Sequence, residues 1–147
     1  MTDITIVEIL LIEDNPGDAE LTIRALRKNN VSNHITHLKD GQEALDFLFA
    51  RGKYEGRDTN HKPKVILLDL KLPKLNGIEV LKEVKSNALT QKIPVVALTS
   101  SKENPDIEQC YKLGVNSYIV KPIVIEDFIK VVADLGLYWV LHNQAPE

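Results

Sequence analysis

Short aliphatic runs, "VEILLIED", "PKVILLDL", "IPVVALTS" and "VNSYIVKP", recur along the 147 residues and are separated by segments with helical spacing. A weaker run that alternates polar and apolar residues, "HITHL", lies near 33–38. Strand and helix therefore alternate five times. Few architectures accept that pattern: a parallel sheet, joined by right-handed crossovers and covered by helices on both faces. The fold class expected is α/β, a three-layer sandwich with a five-stranded parallel sheet.

The run Val65 to Leu68 is apolar at every position and is bounded by Pro63 and Pro73. It reads as a central strand buried on both faces. It ends on a charge, Asp69. In open α/β sheets the carboxyl edge of the strands is where ligand sites form, so Asp69 marks the edge to search.

Helix starts are equally legible. "NPGD" offers Asn15 as N-cap, Pro16 at the first helical position and Asp18 in the first turn, with Ala19, Ile23 and Leu26 on one face. "DGQE" and "NGIE" have the form of capping boxes at Asp40/Glu43 and Asn76/Glu79. They precede apolar stripes at Ala44, Leu45 and Leu48, and at Val80, Leu81 and Val84. "NPDI" opens a fourth helix that should stop at Gly114. A fifth is expected from about Ile125 toward His142, with Phe128, Ile129, Val132 and Leu135 facing the core. The connection "RGKYEGRDTNHKP", Arg51 to Pro63, is polar and reads as a surface loop.

With 44% hydrophobic residues and a net charge of -3, the chain has the makeup of one globular domain, 1–147, and not of a polyanion-binding protein. Neither nucleic acid nor a membrane is an expected partner. A single cysteine, Cys110, forms no internal disulfide, and no secretory signal opens the sequence, so the location expected is cytoplasmic. His34, His37, His61 and His142 lack the spacing of a zinc site.

Four strands end in reactive groups on the same edge: Glu13 and Asp14, then Asp69, then Thr99 and Ser100, then Lys121. Any one of these could be a turn residue; together they form a site. Three carboxylates brought close raise one another's pKa unless a cation neutralises them, and Mg2+ suits an open site of this kind. Asp14 and Asp69 are the expected direct ligands, with Glu13 acting directly or through water. Toward a phosphoryl group, Asp69 would be the nucleophile, Lys121 a paired cation and the Thr99 hydroxyl a donor.

"LIEDN", "LLDLKLPKLNG", "ALTSS" and "YIVKP" together resemble, in order and spacing, the receiver domain of two-component response regulators, over about Val7 to Leu135. The resemblance implies the flavodoxin-like strand order 2-1-3-4-5 and phosphorylation of Asp69 by a histidine kinase. It also implies a Mg2+ shell completed by the Lys71 backbone carbonyl, a cis Lys121-Pro122 bond, and Thr99 with Tyr118 as a switch pair. Lys71 and Ser101, each two residues past a site residue, would border the phosphoryl group.

The loop after the second helix and the aromatic end "LGLYWVLHNQAPE" look like the small receivers paired with cyanobacterial and bacterial phytochromes. No output domain is expected after the fifth helix, so output would pass to another protein by binding or by phosphorelay. Val131, Leu137, Tyr138 and Trp139 exceed one core stripe and suit a homodimer through helix four, strand five and helix five. Two alternatives stand beside this reading. An aspartate-nucleophile phosphatase of haloacid-dehalogenase type shares the parts list, but its second acid would fall at Lys71. A phosphate-independent receiver-like scaffold would be favoured by loss of the acidic pair or of the lysine, and both are present.

Overall fold

The computed structural model describes residues 9–29, 34–100 and 105–136. Five strands, β1 Ile9–Ile12, β2 Ile35–Leu38, β3 Val65–Asp69, β4 Val95–Thr99 and β5 Ser117–Val120, form one parallel sheet in the order β2-β1-β3-β4-β5. The helices are α1 Pro16–Lys28, α2 Gly41–Leu48, α3 Gly77–Ser86, α4 Asp106–Lys112 and α5 Ile125–Asp134. Among the described residues no helix is long and apolar enough to cross a membrane.

All four residues of β1 and all five of β3 and of β4 are buried, as continuous apolar strands covered on both faces must be. Alternate side chains feed two cores. Leu10, Ile12, Ile66 and Leu68 pack with α2, α3 and α4. Ile9, Leu11, Val65 and Leu67 pack with α1 and α5. Each buried Leu or Ile stabilises the fold by roughly 1.5–3 kcal/mol relative to exposure, enough to hold a charged strand end in a fixed place.

Strand order reverses between β1 and β3, and the crevice above such a switch point is where these sheets bind ligands. Register aligns the strand ends there. Ile12 pairs with Leu68, which sets Glu13 level with Asp69; Asp69 pairs with Leu98, and Thr99 with Val120, one residue before Lys121.

Caps form largely where the residues call for them. The Asn15 side chain accepts from the Asp18 amide at 2.9 Å, with Pro16 opening α1. Asn76 and Glu79 make a complete capping box. At α2 only half of one forms: Asp40 accepts from the Glu43 amide at 2.7 Å, but the Glu43 carboxylate takes the Lys39 amide instead of that of Asp40. The cause is a competing cluster, since Glu43 also pairs with Lys53 at 2.7 Å and accepts from the Tyr54 hydroxyl at 2.8 Å.

That cluster belongs to the 51–63 connection, which is more ordered than a polar loop. Gly52–Tyr54 is a 3-10 turn, the Arg57 guanidinium lies 3.9 Å from the centre of the Phe47 ring, and it donates to the Phe47 carbonyl at 3.0 Å. Lys53 above all, with Tyr54, lowers the Glu43 pKa from 4.5 to about 2. A depressed carboxylate contributes stability that is present above pH 4.5 and lost as pH falls toward 2. Glu43→Gln should therefore lose about 1 kcal/mol at neutral pH, the scale of a partly exposed pair, and show a shallower decline below pH 4.5 in urea titrations. An unchanged acid limb would dissociate the cluster from stability.

The fifth helix differs from the expectation. It ends at Asp134, with Leu135 as C-cap and Gly136 at φ 73°, the left-handed conformation that terminates helices. Phe128 and Val132 are buried and Leu135 packs against the core, as expected, but Ile129 is 41% exposed and Val131 packs in its place. Leu137, Tyr138, Trp139 and His142 lie outside the described residues.

Candidate functional site

At the carboxyl edge of β1 and β3, carboxylate oxygens of Glu13, Asp14 and Asp69 all lie within 4.8 Å of one another. Their surroundings differ. Glu13 is fully buried, Asp69 is 4% exposed at the strand end, and Asp14 faces solvent. Glu13 accepts from the Asn15 amide at 3.2 Å, and its own carbonyl accepts from the His37 ring at 2.7 Å. Asp69 Oδ1 accepts from the Lys71 amide at 3.0 Å, an Asx-type turn that leads the chain away from the strand.

From β5, Lys121 Nζ donates to Asp69 Oδ2 at 3.2 Å, to Glu13 Oε1 at 3.1 Å and to Asp18 Oδ2 at 3.0 Å. Its backbone amide donates to the Thr99 carbonyl at 2.7 Å, tying β5 to the end of β4. The Lys121-Pro122 bond is cis, as the resemblance implies. Thr99 is buried at the end of β4. Tyr118 is half-buried in β5, its ring edge-on to Tyr111 at 6.4 Å between centroids. The Lys71 side chain is exposed, and Ser101 lies outside the described residues.

Asp18 is the site residue that the sequence reading missed. Its position in the first turn of α1 explains an acid there without any site, because the helix dipole favours one. Only the fold reveals that the same turn lies within reach of a lysine more than a hundred residues later.

Charge in the crevice is unbalanced. One ammonium faces three carboxylates, with Asp14 a fourth beside them. Burial first, and then Asp69, push Glu13 up from 4.5 to about 7, against the pull of Lys121. Because that pKa is raised, the stability Glu13 contributes is present below pH 4.5 and lost as pH rises to about 7. Burial works against the Lys121 ammonium as well, but Asp18, Glu13 and Asp69 together hold its proton above the usual lysine range. A divalent cation beside Glu13, Asp14 and Asp69 would offset this excess. Three oxygen donors with one solvent-facing member fit an ion of the hard, oxygen-preferring class.

The model of the response regulator receiver domain matches residues 9–133. The chain belongs to the response regulator receiver family. This receiver is 40% identical over 138 residues to the probable methanogenesis regulatory protein FilR2 of Methanothrix harundinacea, covering 94% of this chain and 86% of that protein. It is 39% identical to response regulator Rcp1 of Synechocystis sp., over 89% of this chain and 87% of Rcp1, and the Mn2+-bound form of Rcp1 superposes with a TM-score of 0.74. The bacteriophytochrome response regulator RtBRR is 47% identical, with a TM-score of 0.85 over 96% of this chain and 84% of that one.

Receivers of this family are signalling proteins that work with histidine kinases or phosphotransfer proteins. Nothing in these similarities supports the phosphatase reading.

Proposed function

We propose that this receiver accepts a phosphoryl group on Asp69 from a histidine kinase of phytochrome type, in the cytoplasm, and signals through a partner protein or a phosphorelay. The observation that carries this reading is the convergence on Asp69: Lys121 Nζ at 3.2 Å and the Glu13 and Asp14 carboxylates within 4.8 Å. The likeness to Rcp1 and to RtBRR supports the phytochrome pairing.

In the transfer, an Asp69 oxygen attacks phosphorus, the bond from phosphorus to the kinase histidine nitrogen breaks, and the nitrogen keeps the electron pair. An acyl phosphate forms. Lys121 then pairs with a phosphoryl oxygen, and the Thr99 hydroxyl donates to another. Asp14, Asp69, the Lys71 carbonyl and Glu13, directly or through water, would hold Mg2+. When bound, Mg2+ supplies the positive charge that lets carboxylates and phosphoryl oxygens share the site. The same groups would assist water in removing the phosphoryl group.

Thr99 and Tyr118 would report the modification. The hydroxyl moves toward the phosphoryl group and the ring fills the vacated space, a shift between two pre-existing arrangements of the loops after β4 and β5.

A metal titration tests the reading. Asp14→Ala should weaken Mg2+ binding by about tenfold or more, since a carboxylate is lost from a site with few protein ligands, and chelation should stop phosphorylation. Unchanged binding in that variant would place the ion elsewhere. Transfer from a labelled phytochrome-type kinase should exceed transfer from other kinases of the same cell; equal transfer would remove the pairing.

Phosphorylation is further proposed to favour a two-fold dimer through α4, β5 and α5. Exposed Tyr111 (48%) and Ile129 (41%) on those helices supply apolar surface for it. Sedimentation with and without a phosphoryl mimic should show a dimer only with the mimic, and Ile129→Asp should abolish it. A monomer in both states would overturn the dimer.

A further inference from the structure

The two faces of the sheet are covered unequally. Among the described residues, three helices, α2, α3 and α4, pack on one, and two, α1 and α5, on the other. The shortfall falls at the β2 edge. On β2 only Leu38, which faces α2, is buried; Ile35 and His37 on the α1 side are half-buried, as is Thr36. Between α1 and β2 lies a groove of about 830 Å³. Its floor is apolar, from Ala19 and half-buried Ile23, and the His37 ring closes one side while donating to the Glu13 carbonyl.

The rim is cationic. Arg24, Arg27, Lys28 and Lys39 surround the floor against a single carboxylate, Glu20, which is already paired with Arg24. Among the described residues, no acidic side chain pairs with Arg27, Lys28 or Lys39. The chain as a whole carries a net charge of -3, so this concentration runs against its overall sign.

We propose that the groove between α1 and β2 seats an acidic amphipathic helix of a partner protein. Among the described residues the α1 and α5 layer holds one helix fewer than the layer opposite, which argues for a helix as occupant. The apolar floor argues for an amphipathic occupant, and the rim argues for acids flanking its apolar stripe. α1 has 13 residues, about 20 Å at 1.5 Å per residue, so an occupant of three to four turns would span the groove. A nucleic-acid backbone would satisfy the rim but leave Ala19 and Ile23 without apolar contact. The groove lies outside the Asp69 site, and its occupation is separable from phosphorylation.

The probe is a labelled 14-residue designed helix with leucines along one stripe and glutamates beside it, followed by fluorescence anisotropy on the full chain. Expected are measurable binding, a loss of about tenfold or more in Arg27→Gln/Lys39→Gln, a comparable loss in Ile23→Ser, and weakening with salt. Arg27 and Lys39 are exposed, so the double variant should fold, which unchanged labelling by a small phosphodonor would verify. A glutamine version of the peptide should bind poorly. Equal binding of the two peptides, full affinity in the double variant, or no binding of the acidic peptide would overturn the proposal. So would tighter binding of an oligonucleotide of equal charge, or a wild-type dimer dissociated by Ile23→Ser, which would assign the groove to nucleic acid or to a second copy.

Discussion

Asp69→Asn should take no phosphoryl label, from a kinase or from a small phosphodonor, while wild type is labelled by both. Asparagine keeps the shape of the side chain and can still accept from the Lys71 amide, which bonds Asp69 Oδ1 at 3.0 Å. It loses the anionic oxygen that Lys121 faces at 3.2 Å, and a neutral amide is no nucleophile toward phosphorus. The other acids of the crevice cannot substitute. Glu13 has no exposed surface and is bonded by Lys121 and the Asn15 amide, and Asp18, in α1, is held by the same lysine outside the cluster of Glu13, Asp14 and Asp69. Labelling of the variant to the wild-type extent would move the nucleophile to Asp14, the exposed member of the cluster. Loss of label together with loss of fold would say nothing about chemistry, so the variant's urea midpoint belongs in the same experiment. It should change little, because the substitution removes one of several negative charges crowded around one ammonium.

The strand ends were legible because burial on both faces leaves a strand no freedom of register. A run such as Val65 to Leu68 must lie between helix layers, and the first charge after it must lie at the edge. The same rule locates Glu13 and Thr99 without needing the helices, whereas Lys121 follows β5, an edge strand with one buried residue. Helix faces were read less well, for a reason that α5 makes plain. Ile125, Phe128, Ile129, Val131 and Val132 offer more than one stripe, and which one packs depends on where the helix sits over the sheet; Val131 packs and Ile129 faces water. Apolar residues continue in the sequence past Gly136, and this continuity hides the glycine whose positive φ follows the end of α5.

Side-chain partners away from the strand ends were not legible. Glu43 looks like the second half of a capping box, and only the fold brings Lys53 and Tyr54 to it. Asp18 is satisfied by its helix position on paper and by Lys121 in the structure. Electrostatic roles are fixed by three-dimensional neighbours, whereas strand position is fixed by local pattern, and the two become readable in that order.

Gly77→Ala should destabilise the receiver by about 1–3 kcal/mol and slow phosphorylation of Asp69, although residue 77 touches neither metal nor phosphoryl oxygen. A Cβ at this position would lie 2.4 Å from the Asp69 carbonyl oxygen and 2.6 Å from the Leu70 Cα. Both are backbone atoms of the segment that leaves β3, so no side-chain rotation relieves the overlap. Gly77 is also the first residue of α3, and its amide donates to the Leu70 carbonyl at 3.2 Å. The chain must turn back so tightly because the loop from Lys71 to Asn76 has to return α3 onto the sheet while keeping the Asp69 carboxylate at its edge beside solvent-facing Asp14. Gly41 secures the other side of that loop, where a Cβ would come 2.0 Å from the Leu75 carbonyl oxygen, so Gly41→Ala should behave in the same direction. Gly17 is the control. Its added Cβ would meet only the Asn15 side chain at 3.3 Å, and alanine there should change stability by no more than about 1 kcal/mol. Urea denaturation gives the stabilities, and the initial rate of labelling by a small phosphodonor gives the second effect. If Gly77→Ala matches Gly17→Ala in both, the loop has room to move without disturbing Asp69, and the close approach of α3 to the end of β3 has no part in positioning the site.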